Sequence, residues 1–167
     1  LIGVLSNGPH TNGYSYLRKL FAWIPLESQP APLDKPLIEA LLMSHRNYLP
    51  VLKGALDTEL VKALVHITGG GLPDNMPRVL PDGVGAKINL GSWPMPPLFQ
   101  LVQQLSALDT EELYRTLNMG IGMVIIVAPS DVQAVQSAIS EPTFIIGSLV
   151  HQTSNIGSTQ TNRVLLS

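Results

Sequence analysis

The 167-residue chain contains no cysteine. Disulfides, thiolate metal sites and a cysteine nucleophile are therefore excluded within it. Charge is also scarce: Asp, Glu, Lys and Arg make up 13%, where about 25% is usual. The net charge is −2 and no basic run occurs, which argues against a nucleic-acid partner. No apolar run approaches the ~18 residues of a membrane-spanning segment, and no secretory signal is visible. The expected setting is cytoplasmic, with no membrane partner. The histidines, His10, His45, His66 and His151, are scattered without zinc-ligand spacing, so no metal site is expected. There is no internal repeat, Rossmann fingerprint, Walker A motif, kinase motif set or carboxylate cluster suited to Mg²⁺. The chain is therefore not expected to hold a nucleotide by itself.

The length fits one domain with a real core. The chain opens at Leu1-Ile2-Gly3-Val4-Leu5, directly inside a strand-like run and without an initiator Met. Together with the low charge, this reads as a fragment whose other half covers apolar surface. Trimming around a self-sufficient domain is the alternative.

Leu1–Leu5 reads as a buried strand ended by Ser-Asn-Gly-Pro. A helix is expected from Tyr14 to Trp23, capped by Asn12, because its apolar residues share one face. A proline-rich loop spans 25–36. Helices follow at Leu37–Met43, with Asp34 as cap, and at Tyr48–Leu56, with Pro50 in the first turn. Ala63–Thr68 reads as a strand feeding Gly69-Gly70-Gly71, and Asp74–Leu80 as a short helix. Pro81-Asp82-Gly83 is a turn, and Gly85–Leu90 is a strand. Pro96-Pro97 opens a helix to Leu105. Asp109 with Glu112 caps one from Thr110 to about Leu117, and Ser130 with Gln133 caps one to about Ile139. Ile121–Val127 is the best strand; Thr143–Val150 and Arg163–Leu166 read as closing strands, with a polar hairpin or mobile loop at 152–162. Helices and strands mix without a strict βαβ repeat. That pattern predicts an α+β domain, a mixed sheet flanked by helices in an α-β-α layered arrangement.

Three loops could carry chemistry. Thr68-Gly69-Gly70-Gly71 lies between a strand and a helix start. Glycines allow close approach, and unpaired helix N–H groups suit an anion such as phosphate. A tight turn made for packing alone is the plain alternative. Asp74, just inside the helix, opposes an anion and could instead face a metal held by phosphates. The loop Ser6-Asn7-Gly8-Pro9-His10-Thr11-Asn12-Gly13 offers several donors. Its His10 could titrate near neutrality and transfer a proton, or simply order the loop. His66 reads as a satisfied core histidine. In the third segment, 112–123, Arg115 could grip a phosphate bidentately or pair with Glu111 or Glu112. Asn118 sits where that helix runs into the strand.

Together these loops resemble the C-terminal half of the aminoimidazole ribonucleotide synthetase family, the phosphoribosylformylglycinamidine cyclo-ligases. The matching runs are SNGPHTNGYSYLRKL at 6–20, HITGGGLPDNMPRVLP at 66–81 and ELYRTLNMGIGM at 112–123. Leu42–Tyr48 and Ser92-Trp93 give weaker support. The third run separates this family from ATP-using relatives such as selenophosphate synthetase and thiamine-phosphate kinase. Two departures stand out. Asn7 and Thr11 replace two serines of the family's usual Ser-Ser-Gly-Pro-His-Ser-Asn-Gly. Ser44 and His45 replace its Pro-Thr, with Arg46 and Tyr48 kept.

The resemblance implies a single C-terminal domain over 1–167, lacking an N-terminal ATP-binding half. The full enzyme would use ATP and Mg²⁺ to close the imidazole ring of formylglycinamidine ribonucleotide and would form a homodimer. This domain would supply one wall of a cleft between halves, and alone would be inactive. The expected phosphate- and substrate-binding residues are Ser6, Asn7, Gly8, Thr11, Asn12, Gly13, Thr68, Gly69, Gly70, Gly71, Arg115 and Asn118, with His10 as the candidate catalytic group. The alternatives are a non-catalytic binding module of the same fold or a paralogous ATP-dependent enzyme.

Overall fold

A computed structural model of the protein describes residues 1–151 and 163–167; the expected hairpin or loop at 152–162 lies outside them. In chain order, β1 (Ile2–Leu5) leads to α1 (Tyr14–Leu20), α2 (Leu37–Leu41) and α3 (Leu49–Asp57). Then come β2 (Val61–His66), α4 (Gly71–Asn75), a 3₁₀ turn (Met76–Val79) and β3 (Val84–Ile88). Next are α5 (Pro97–Leu105), α6 (Thr110–Thr116), β4 (Ile121–Val127), a second 3₁₀ turn (Pro129–Asp131) and α7 (Val132–Ser137). Strands β5 (Thr143–Ile145), β6 (Gly147–His151) and β7 (Val164–Leu166) close the described chain.

The α+β class is as expected, but the strands form two sheets. One is four-stranded in the order β2-β4-β1-β5, with every pairing antiparallel. The other is three-stranded, β6-β3-β7, and mixes an antiparallel with a parallel pairing. The expected continuous strand Thr143–Val150 is split at Ile146. That residue is fully buried, accepts from the Asn89 N–H and donates to the Leu1 carbonyl, so it carries the chain from one sheet to the other.

β4 explains why its sequence is apolar throughout. Val124 and Ile126 face one core with Leu17, Phe21, Leu72, Phe99 and Tyr114; Met123 and Ile125 face another with Tyr48, Leu52, Ala55 and Val135. Antiparallel strands commonly alternate because one face is wet; here helices cover both. Ala86 and Ile88 of the second sheet join the first core.

Several local expectations change. Gly13, not Asn12, is the N-cap of α1, with φ 76° and no side-chain cap. The helix stops at Leu20, and Trp23 beyond it is 70% exposed. Pro36 rather than Asp34 precedes α2. The helix after the glycines starts at Gly71, not Asp74, and tightens to 3₁₀ after Asn75. Asp109 caps α6 by accepting from the Glu112 N–H at 2.8 Å. Ser130 caps nothing: its hydroxyl donates to Asp131, within a 3₁₀ turn that opens on Pro129.

Ile125→Ala would open a cavity at a fully buried position and is expected to cost about 2–5 kcal/mol. Ile145→Ala, at a 56% exposed position, should change stability far less; urea unfolding of both variants measures the contrast.

Candidate functional site

Sheet register gathers the three loops. Leu5 pairs with Ile121, and His66 pairs with Met123. The C-terminal ends of β1 and β2 and the N-terminal end of β4 therefore lie together. The segments 6–13, 67–71 and 117–120 all leave from that end of the sheet.

Buried side-chain amides then fasten the loops. Asn118 Oδ1 accepts from the Ser6 hydroxyl and the Gly120 N–H, and its Nδ2 donates to the Gly8 carbonyl, each at 2.9 Å. The Ser6 N–H donates to the Gly120 carbonyl. Ser6 and Asn118, expected to touch ligand, are thus buried and spent on joining two loops. Asn75, a residue not singled out from sequence, does the same for the glycine turn. Its Nδ2 donates to the carbonyls of Thr68, Gly69 and Gly71, and its Oδ1 accepts from the Thr68 hydroxyl. The available signal was its place inside a helical turn, where Asn is a poor former and often bonds local backbone.

Gly70 and Gly71 have φ 92° and 57°. A Cβ at Gly71 would stand 1.7 Å from the Tyr114 carbonyl oxygen, so only glycine lets α4 approach α6. Arg115 already has carboxylate partners. It pairs with Asp74 and, at 3.2 Å, with Glu111. Asp74 in turn is neutralised rather than aimed at a metal. His10 and Met119 hold left-handed φ of 58° and 46°, unusual for non-glycine residues and concentrated in these loops.

What remains on the open side is small and rich in donors. Thr11 is exposed, and the Asn12 amide stands 3.4 Å from where a Cβ on Gly69 would lie. The backbone N–H groups of Gly13, Gly69 and Gly70 donate to no backbone acceptor among the described residues. Such a surface suits phosphate oxygens.

Behind it lies a cluster that spacing had hidden. Arg46 and Tyr48 both donate to the Leu5 carbonyl at 3.0 Å, and Arg46 also pairs with Glu141. This docks segment 44–48 and lays the His45 ring on His10, with centroids 4.1 Å apart. Gly122 makes room, since a Cβ there would fall 1.8 Å from the Tyr48 hydroxyl. His66 is exposed, not a core histidine: it ends β2, and its Nε2 lies 3.1 Å from Nε2 of His45. One ring nitrogen from each of His10, His45 and His66 lies within 4.8 Å of the others. The histidines are scattered in sequence but meet in space, because two loops and the end of β2 supply them.

His10 is 2% exposed and its Nε2 meets Asn7 Oδ1 at 3.0 Å. Burial first, then the positive charge of His45, His66 and Arg46, pulls its pKa down to about 4. It is neutral at pH 7 and does not titrate near neutrality as expected. Burial also lowers His66 and raises the Tyr48 phenol, and pushes Tyr114 up to about 12.

Comparison with known proteins fits this architecture. Residues 1–157 match the family model described as AIR synthase related protein, C-terminal domain. The chain belongs to that family. It is 42% identical over 153 residues to the phosphoribosylformylglycinamidine cyclo-ligase of Geobacillus kaustophilus, covering 88% of this chain and 44% of that protein. It is 43% identical over 155 residues to the enzyme of the same name from Brevibacillus brevis, covering 89% and 45%. The chain thus spans less than half the length of these curated relatives. The crystal structure of Escherichia coli HypE, a hydrogenase maturation protein, superposes with a TM-score of 0.55 at 21% identity, over 90% of this chain and 44% of that one; it shares the fold. Among the described residues no helix is long and apolar enough to cross a membrane.

Asn75→Ala removes four hydrogen bonds and strands buried carbonyls, so it is expected to cost about 3 kcal/mol in urea unfolding. A second outcome concerns pH. The folded-state pKa of His10 lies below the unfolded value of 6.5, so the unfolded state takes up the proton first on acidification. Stability is full above pH 6.5 and falls as the pH drops towards about 4, by about 3 kcal/mol from His10 at most. Unfolding measured with chelator present at pH 7.5, 6 and 4.5 should show this slope, and His10→Gln should flatten it.

Proposed function

We propose that this domain forms one wall of the active site of an ATP-dependent cyclo-ligase. The reaction closes the imidazole ring of formylglycinamidine ribonucleotide, giving aminoimidazole ribonucleotide in purine biosynthesis in the cytoplasm. The observation that carries this reading is the convergence of three glycine-bearing loops at one end of the sheet. The chain's curated relatives, named as cyclo-ligases, support it.

ATP, when bound, supplies the phosphoryl group that turns the formyl oxygen into a leaving group. The amidine nitrogen would then bond to the activated carbon as the C–O bond breaks and phosphate leaves. This chain's donors fit the phosphate side of that chemistry. The N–H groups of Gly13, Gly69 and Gly70, unpaired among the described residues, would with Thr11 and Asn12 hold and orient phosphate oxygens. They do not fit Mg²⁺, which takes oxygen ligands: Asp74 is paired with Arg115, and the residues gathered closely enough to hold a metal among those described are histidines. Mg²⁺ ligands and most nucleotide contacts would come from an N-terminal ATP-binding half, in a homodimer. Ser6, Asn75, Asn118 and Arg115 position the loops. His10 orders its loop through Asn7 rather than exchanging a proton with substrate.

Gly69→Val tests the wall. No positive φ is required there, and the nearest atom to an added Cβ is 3.4 Å away, so the fold should be kept. In the full-length protein kcat/KM is expected to fall at least about 10-fold with the midpoint of unfolding nearly unchanged, roughly 1.4 kcal/mol of transition-state binding. Unchanged kinetics would remove these loops from the cleft. The 167-residue chain alone should show no turnover of ATP with substrate; turnover would refute the two-half reading.

A further inference from the structure

We propose that His10, His45 and His66 form a binding site for a first-row transition metal ion of the Zn²⁺ type, through Nδ1 of His10 and Nε2 of His45 and His66. The hydrogen bonds around His10 decide which of its nitrogens is available. Asn7 Nδ2 donates to the Ser44 carbonyl at 2.8 Å. A carbonyl can only accept, so the amide is oriented with Oδ1 towards His10. Oδ1 can only accept too, so His10 Nε2 carries the proton and Nδ1 carries the lone pair. That Nδ1 is buried and has no hydrogen-bond partner. An imidazole whose second nitrogen donates to an oxygen is the arrangement that fixes the tautomer of metal-ligating histidines.

The other two nitrogens face each other. Nε2 of His45 and Nε2 of His66 are 3.1 Å apart. Two nitrogens on one tetrahedral Zn²⁺ with ~2.0–2.1 Å bonds stand about 3.3 Å apart, so the pair is already near the separation a shared ion needs. One ring nitrogen from each of the three histidines lies within 4.8 Å of the others. His45 must turn off the His10 ring to complete the set; it is exposed, so the turn displaces little packing. The nearest cation, Arg46, is held by Glu141 and the Leu5 carbonyl. Imidazole nitrogens select Zn²⁺, Co²⁺, Ni²⁺ or Cu²⁺ over Mg²⁺, so this site is separate from any Mg²⁺ on ATP. Three protein ligands leave a fourth position open to water or an anionic oxygen.

Asn7 fixes the tautomer of His10, and His45 and His66 supply the other two ligands. Metal binding here does not depend on cyclo-ligase activity and is read without it. Zn²⁺ titrated into the full-length protein by calorimetry is expected to saturate one site, and Co²⁺ to give visible bands of a low-symmetry nitrogen site. His45→Thr, at an exposed position, should weaken Zn²⁺ binding at least about 100-fold while circular dichroism stays unchanged; His66→Asn is the second variant and should do the same. X-ray absorption on the zinc-loaded wild type should show imidazole scattering. Absence of saturable Zn²⁺ binding by the wild type, unchanged affinity in both variants, or oxygen-only coordination would overturn the site.

Discussion

Burial of β4 on both faces is the constraint on which the rest of the molecule depends. A strand with helices on each side can present no polar residue, so its sequence is a continuous apolar run and its backbone must be fully paired. β1 and β2 supply that pairing, one on each side, and both run antiparallel to it. Antiparallel pairing on both edges puts the ends of β1 and β2 next to the start of β4. The three glycine loops are consequences of that geometry: each continues a strand at the same end of the sheet. Hydrophobic burial in the core thus brings together residues more than a hundred positions apart, such as Ser6 and Asn118.

Once the loops are brought together, polar chemistry determines what they can do. A buried amide must satisfy its donors and acceptors, and Asn75 and Asn118 do so by taking loop carbonyls and hydroxyls as partners. These residues hold the loops together. Arg115 also bridges elements, with its charge paired to Asp74 and Glu111. The groups left facing outward are backbone N–H groups and short polar side chains. That division, rigid amides behind and free donors in front, is how a surface can be shaped for phosphate oxygens without a dedicated cation.

The sequence made some of this legible. The run Ile121–Val127 and the Asp109–Glu112 cap could be read locally, because a buried strand and a capping box each depend on adjacent residues. The three-loop resemblance was also legible, since its residues sit in contiguous runs. What could not be read is what depends on the path of the chain. The switch of sheets at Ile146 is set by the Asn89 and Leu1 backbone, and no residue in Thr143–Val150 announces it. His66 looked like a core residue because its neighbours are apolar, yet it is the last residue of its strand and turns outward. The histidine cluster escaped a search by spacing because its members come from positions 10, 45 and 66, on two loops and the end of a strand.

Polar bookkeeping singles out that cluster again. Among the described residues, His10 Nδ1 is the buried side-chain nitrogen or oxygen with no hydrogen-bond partner. Leaving such an acceptor unpaired costs about 1–3 kcal/mol, and His10 adds a left-handed φ. A purely packing role would not need either feature; an apolar ring would fill the space beneath Gly122 without the unpaired nitrogen. The molecule instead keeps an imidazole there and fixes its tautomer through Asn7. His45 and His66 each bring a ring nitrogen to within 4.8 Å of a ring nitrogen of His10. Buried unpaired polar groups in native folds call for a functional reason, and an unpaired imidazole nitrogen on a ring grouped with two more imidazoles offers a chemical one.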